Sequence, residues 1–193
     1  MKREFASILL LSLLLAGCGA KAPAPQTPLE TAAERYTLEQ AKAENCVVFE
    51  DSVVTAGQDQ WDTFVETTKS GTPSEIRLVT YYTLDPERCS PEYYESAKDD
   101  YPMLLVEDLS YDGETYTDRY FDEGKEYTGI YRYLKRFDEM PHTDTPEYSL
   151  VIYMLLNDER ATYSDYMAAA LSSDFRTERV EGTIVYFAKE PIE

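Results

Sequence analysis

The sequence is poor in histidine and in positive charge. His142 is the only histidine among 193 residues, and 18 Lys and Arg stand against 37 Asp and Glu, which gives a net charge of −19. One histidine excludes any mechanism that needs two. So acidic a chain repels phosphate backbones and anionic headgroups, which argues against nucleic-acid partners and against membrane binding through surface charge.

Signatures of catalysis are missing as well. The chain has no G-x-G-x-x-G, Walker A, G-x-S-x-G or H-E-x-x-H pattern. His142 follows Pro141 in a polar stretch, which favours a solvated loop histidine over a general base held in fixed geometry. We therefore predict a protein that is not an enzyme and has no catalytic residue, cofactor or metal ligand.

The N-terminal segment carries an export pattern. Lys2 and Arg3 precede the apolar run 8–15, which is too short for a transmembrane span. The following Leu15-Ala16-Gly17-Cys18 resembles the lipobox of bacterial lipoproteins. The resemblance implies a signal peptide over residues 1–17, a lipid on the Cys18 sulfur and an extracytoplasmic domain whose only membrane contact is that anchor. An ordinary secretory signal with a chance cysteine is the alternative.

The composition after Cys18 predicts two further regions. Residues 18–34 are rich in Ala and Pro, including Pro23, Pro25 and Pro28, and are expected to form a flexible tether behind the lipidated cysteine. Residues 35–193 have the length of one ordinary domain, and we expect a single α+β globular domain.

Cys46 and Cys89 are the other two cysteines. Outside the cytoplasm they can form a disulfide, which by loop entropy would add about 3–4 kcal/mol of stability. Two unpaired thiols are an equally weighted alternative, because spacing alone does not place the sulfur atoms within bonding distance.

Periodicity indicates the secondary structure. Capping-box patterns at Thr37, Thr55 and Thr162 predict three helix starts. Strand-like runs occupy residues 46–49, 75–82, 103–110, 127–137, 150–156 and 183–187, and 150–156 is compatible with a buried helix as well. We expect an α+β fold in which an antiparallel sheet, a meander of hairpins, carries two to three helices packed on one side.

A hairpin is the clearest local signal. Asp112-Gly113 between strand-like runs predicts a two-residue type I′ turn, which would place Glu107 directly opposite Asp118. Like charges in that position are destabilising, so this pair is a candidate cation site or carboxyl pair with a raised pKa. Solvated carboxylates near a basic residue are the favoured alternative.

Tyrosine is abundant, with 17 residues. If the next turn spans four residues, one sheet face collects a possible binding face formed by Tyr111, Tyr116, Tyr120, Tyr127, Tyr131 and Tyr133. A bulge would remove the third strand from that face. Because Leu105 and Leu109 share the face, a half-buried sheet is favoured over a binding surface.

Several of these segments, above all Asp108-Leu109-Ser110-Tyr111-Asp112-Gly113, resemble a domain of unknown function found in small lipoproteins of Gram-positive bacteria. The other matching segments lie at 36–41, 47–48, 61–64 and 76–78, so the resemblance spans roughly residues 36 to 134. It implies a fold and a location at the cell envelope, and it transfers no catalytic residue, because the family has no established activity.

The expected function is therefore that of a lipid-anchored domain that binds an envelope protein, peptide or glycan. A carboxylate-dependent hydrolase of cell-wall glycan or peptide is the first alternative, and it requires acids such as Glu107 and Asp118 to line a cleft with raised pKa values. An inhibitory or structural docking module that uses the tyrosine face is the second, and it requires a large exposed apolar patch.

Overall fold

A computed structural model describes residues 27–141, 146–173 and 179–192. Cys18 and His142 lie outside these ranges, as do the signal sequence and most of the predicted tether. The fold is α+β with antiparallel sheets, as predicted. None of the helices in the described part of the chain is long and apolar enough to cross a membrane.

Five α-helices occur in the described residues, together with a short 3-10 helix at Lys98–Asp100. They are α1 Leu29–Arg35, α2 Leu38–Ala43, α3 Gln58–Lys69, α4 Pro91–Ala97 and α5 Tyr163–Leu171. The capping boxes predicted at Thr37 and Thr162 are both present. The one predicted at Thr55 is wrong, because Thr55 lies in a strand and α3 begins after Gly57, which has a left-handed backbone.

The first sheet has six strands in the order β2-β1-β3-β4-β5-β6. They are β1 Val47–Glu50, β2 Val53–Ala56, β3 Ser74–Tyr82, β4 Met103–Tyr111, β5 Tyr116–Asp122 and β6 Lys125–Tyr131. All neighbours are antiparallel except β1 and β3. The predicted meander is β4-β5-β6.

The second sheet has three antiparallel strands in the order β7-β8-β9. They are β7 Tyr133–Glu139, β8 Tyr148–Leu156 and β9 Gly182–Pro191. The single strand predicted over 127–137 is therefore two strands, β6 and β7, in different sheets. The chain passes from one sheet to the other at Arg132, whose backbone N–H donates to the carbonyl of Leu156.

The hydrophobic core forms on both faces of the first sheet. Alternation in β1 sends Val47 and Phe49 to one face, where α3 and the second sheet pack, and Cys46 and Val48 to the other, where α1 and α2 pack. Two helices, α1 and α2, therefore pack on one side of the first sheet, and α3 packs on the other. The face under α3 and the second sheet is called the inner face below, and the opposite face, under α1 and α2, the outer face.

The predicted tether is shorter than expected. Leu29 and Ala32 lie in α1 and are buried against the outer face, so residues 29–34 are part of the folded structure. Helix α1 has only seven residues and two buried apolar side chains, so its sequence shows too little hydrophobic periodicity to predict a helix. The packing of α1 against β4 and β5 stabilises it.

Of the two alternatives for the cysteines, the structure has the unpaired thiols, because both Cys46 and Cys89 are free. Cys46 is buried under α2, whereas Cys89 lies in the loop before α4, where its thiol donates to the carbonyl of Asp85. Burial raises the pKa of the Cys46 thiol to about 11. Cys46 therefore behaves as a small core residue.

Candidate functional site

A cleft of about 320 Å³ opens between the inner face of the first sheet and strand β9. The first sheet and its β1–β2 turn contribute Phe49, Ser52, Thr80, Tyr82 and Glu107 to its lining, and β9 contributes the stretch from Ile184 to Phe187. The cleft thus combines aromatic rings and two hydroxyls with a single carboxyl group. Its volume is at the small end of the range for ligand sites.

Strand register places the predicted carboxyl pair beside this cleft. Glu107 pairs with Tyr120 and Asp118 pairs with Leu109, so the two acids are diagonal neighbours and the predicted direct opposition is wrong. The reason lies in the loop 112–115, where the Asp112 carboxylate accepts from the backbone N–H groups of Glu114 and Thr115 and lengthens the turn by two residues. A shift of two preserves strand parity, so both acids stay on the inner face.

The two carboxyl groups lie close enough to interact directly with each other. Asp118 is only 3 % exposed, and its Oδ1 atom has no hydrogen-bond partner among the described residues. Glu107 is half-buried and is the member of the pair that reaches the cleft. A buried carboxyl oxygen without a donor is costly, so this pair is only partly satisfied by the protein itself.

Burial raises the pKa of both acids. The pKa of Asp118 rises to about 6. The pKa of Glu107 rises well above its usual value, because burial and the nearby negative charge of Asp118 both favour its protonated form. Burial and the proximity of the two carboxyl groups thus let the pair keep a shared proton to a higher pH than isolated carboxyl groups do.

A second acid, the half-buried Asp108, lies on the outer face of the same strand. Its carboxylate accepts from Arg77 at 2.7 Å and 2.9 Å, and Arg119 approaches it at 3.5 Å. Arg77, itself 3 % exposed, also donates to the Tyr36 hydroxyl and to the carbonyl of Thr27. None of the ion pairs within the described ranges includes Glu107 or Asp118, so only the outer face neutralises its acid with cations.

The predicted tyrosine face is divided between core and surface. Tyr116 is 7 % exposed, and Tyr111 and Tyr131 pack beside it. At the other end Tyr120 and Tyr127 are 39 % and 37 % exposed and stack with ring centroids 5.3 Å apart. The preference for a half-buried sheet is thus correct for one end only, and the exposed end adjoins Glu107 through its pairing with Tyr120.

Tyr133 does not belong to this face, because it is the first residue of β7 and pairs with Leu156 in the second sheet. Tyr127 and Tyr131 do join it, because the turn at 122–125 keeps the predicted parity. Gly129 lies between them, and a Cβ atom there would come within 2.6 Å of the Tyr131 ring. Glycine thus allows that ring to lie over the strand next to Asp118, with which Gly129 pairs.

Sequence reasoning missed the part of the cleft formed by other strands. Phe49 and Tyr186 meet edge to face with centroids 5.0 Å apart, and Tyr186 also stacks on Trp61 at 4.7 Å. These contacts bring together β1, α3 and β9, which are far apart in sequence. No local motif carries that information, although the aromatic character of 186–187 was a detectable signal.

Metal ligation has little support. No group of three or more His, Cys, Asp or Glu side chains is arranged to hold an ion in the part of the chain that the structure describes. Ca²⁺ takes six to eight oxygen ligands, and Glu107 and Asp118 supply one accessible carboxyl group between them.

No protein-family model, curated protein or solved structure matches the chain. The resemblance to the lipoprotein domain of unknown function stays a prediction from the sequence. The geometry and chemistry of the cleft are what bear on the function of this chain.

Proposed function

We propose that the chain is a lipid-anchored extracytoplasmic protein that binds a component of the cell envelope in the cleft between its two sheets. The observation that carries the proposal is Glu107, a half-buried acid and the single charged group on a lining of aromatic, aliphatic and hydroxyl side chains. Concave, mostly apolar sites with a few polar groups are typical of ligand binding.

The location rests on the sequence alone. The export pattern ends at Cys18, and a lipid there would hold an acidic domain near a membrane of the same sign of charge. Incorporation of radiolabelled palmitate measures the anchor: the wild type should be labelled, and equal labelling of a Cys18→Ser variant would remove this part of the proposal.

The alternative of a carboxylate-dependent hydrolase has one observation in its favour, the raised pKa values of Glu107 and Asp118 beside a cleft. The placement of the acids argues against glycan hydrolysis. Glycosidases use two carboxyl groups that flank the scissile bond, whereas only Glu107 lines the cleft here.

Burial argues against peptide hydrolysis by a shared-proton dyad, since Asp118 is 3 % exposed and only Glu107 reaches the cleft. Binding is therefore the function that the geometry supports best. Turnover of cell-wall fragments by the wild type, with loss of turnover in Glu107→Gln, would reverse this choice.

The second alternative, a docking module, is supported by the exposed side chains of Leu105, Tyr120 and Tyr127. Leu105 pairs with Thr80, and Tyr120 pairs with Glu107, so this platform continues the floor of the cleft. We treat it as an extension of the same site, which a longer ligand would cover.

Site-specific photocrosslinking in intact cells tests the binding site. A photoreactive residue in place of Tyr82, at the rim of the cleft, should give a discrete adduct with an envelope component. The matched control is the same residue in place of Leu171, which is exposed on α5. Identical adducts from both positions, or none from Tyr82, would contradict the proposal.

A further inference from the structure

The strongest unexplained feature of the molecule is the incomplete hydrogen bonding of the Glu107–Asp118 pair. Asp118 Oδ1 is buried without a donor, and the inner face offers the pair no cation within the described residues. A partly satisfied buried polar network is a cost that well-packed apolar residues would avoid. What the inner face lacks is a positive charge, and Glu107 is the member of the pair that a cation in the cleft can reach.

The other groups around the pair favour a positive charge as well. Tyr120 and Tyr131 face it from β5 and β6, and burial together with the negative charge of Asp118 raises the pKa of both phenols, so both are neutral. From β3 and β9, Tyr82 and Tyr186 add aromatic rings to the cleft. Aromatic faces attract cations, and a chain with a net charge of −19 adds a favourable long-range field.

We propose that the cleft binds a primary ammonium group, which forms an ion pair with Glu107 and is surrounded by the aromatic and hydroxyl groups of the lining. This inference rests on the proposed function and names the chemistry of its ligand. An ammonium is compact and has three donors, which suits a small cleft with one accessible carboxyl and the hydroxyls of Ser52 and Thr80. The lysine side chain of a peptide and an amino sugar are the two sources of this group.

Binding is coupled to proton release. The ammonium replaces the shared proton as the partner of Glu107, the proton passes to solvent, and the pair then carries two negative charges beside one positive charge. Affinity should therefore rise with pH as Glu107 loses its proton more readily, while Tyr120 and Tyr131, whose pKa values are raised, remain neutral over the same range.

Trp61 provides the readout, since it is the only tryptophan and its ring stacks on Tyr186 in the cleft lining. Nα-acetyl-lysine amide is titrated against the folded protein, and Nα-acetyl-norleucine amide, which lacks the charge, is the matched probe. We expect the lysine probe to bind at least about tenfold more tightly. Glucosamine against glucose forms the parallel arm and distinguishes the amino-sugar source from the peptide source.

Calorimetry in two buffers of different ionisation enthalpy measures the proton count, for which we expect release of about one proton per ammonium bound. Glu107→Gln keeps a donor for Asp118 and should weaken binding about tenfold or more. The charge-matched control is Glu114→Gln, in the exposed hairpin loop, which should leave affinity unchanged. Asp118→Asn is a second variant in case Glu107→Gln fails to fold, and it too should weaken binding.

Equal binding of charged and neutral probes, or unchanged binding in both Glu107→Gln and Asp118→Asn, would overturn the ammonium inference while leaving a binding cleft in place. A discrete adduct from Tyr82 in cells, with no affinity for either amine, would overturn the inference and keep the proposed function. Failure of both the crosslinking and the amine titrations would overturn both.

Discussion

Glu107 and Asp108 are neighbours in β4, and their side chains lie on opposite faces of the first sheet in different electrostatic surroundings. Asp108 accepts two hydrogen bonds from Arg77, and Arg119 lies nearby. Glu107 has Asp118 as its partner, and the two share a proton. One face therefore neutralises its acid with cations of the same chain, and the other does so by protonation.

We propose that the difference separates a structural role from a binding role. The Arg77–Asp108 pair is complete, because Arg77 also satisfies Tyr36 and the backbone of Thr27, at the segment leading into α1. The Glu107–Asp118 pair is incomplete and borders a cleft. A complete pair holds elements together, whereas an incomplete one beside a cleft can be completed by a ligand.

The largest expected loss of stability comes from breaking the Arg77–Asp108 pair. Arg77→Met leaves Asp108 without its main buried partner and should lower the free energy of unfolding by about 3–5 kcal/mol. Arg136→Met is the control, because Arg136 pairs with Asp138 where both side chains are exposed, and it should cost less than about 1 kcal/mol. Urea denaturation measures both, and equal losses would contradict the structural role of Arg77.

The next effect is the pH dependence contributed by the incomplete pair. A raised folded-state pKa means that the folded protein binds protons more tightly than the unfolded chain, so this contribution is fully present below about pH 4 and is lost as pH rises through about 6. Unfolding free energies at pH 4 to 7 should show Glu107→Gln becoming more stable relative to wild type as pH rises.

The slope of that difference should approach about 1.4 kcal/mol per pH unit for one proton. Carboxylates whose pKa is lowered, such as Asp51, contribute to the unfolding free energy with the opposite pH dependence. Because they are present in both proteins, their contribution cancels in the difference between variant and wild type. A difference that stays flat with pH would show that the pair does not hold an extra proton.

The rates of thiol labelling at pH 8 compare the outer and inner faces of the first sheet. A Cys18→Ser background leaves Cys46 and Cys89 as the two thiols. Cys89 should react at once, and Cys46, which lies on the same face as Arg77, should react only on unfolding, because it is buried and its pKa is raised. Arg77→Met should accelerate the labelling of Cys46, whereas Glu107→Gln should not. Two unreactive cysteines in denatured, unreduced protein would restore the predicted disulfide.

The smallest effect concerns the exposed end of the inner face. Tyr127→Ala removes one partner of the Tyr120 stack and should cost less than about 1 kcal/mol, since both rings are more than one-third exposed. A loss above about 2 kcal/mol, measured by urea denaturation, would mean that this end is covered and is not an open extension of the cleft.

Local rules predicted much of the fold correctly. The capping boxes at Thr37 and Thr162, the β4-β5-β6 meander and the β8 strand follow from capping, periodicity and turn chemistry. The errors came where two local signals competed. The Asp112-Gly113 pair favours a two-residue type I′ turn, but the Asp112 carboxylate accepts hydrogen bonds from the backbone of its own loop and stabilises a four-residue loop instead. The pairing of β4 with β5 is therefore shifted by two residues.

The sequence by itself determined that Glu107 and Asp118 share a sheet face, because strand alternation has a period of two and an even shift does not change it. Only the tertiary structure decided that the pair is buried, that it lies at a cleft and that Asp108 takes the nearby cations. Burial depends on β9 covering the inner face and on Arg77 pointing to the outer one, and such long-range contacts leave no local pattern.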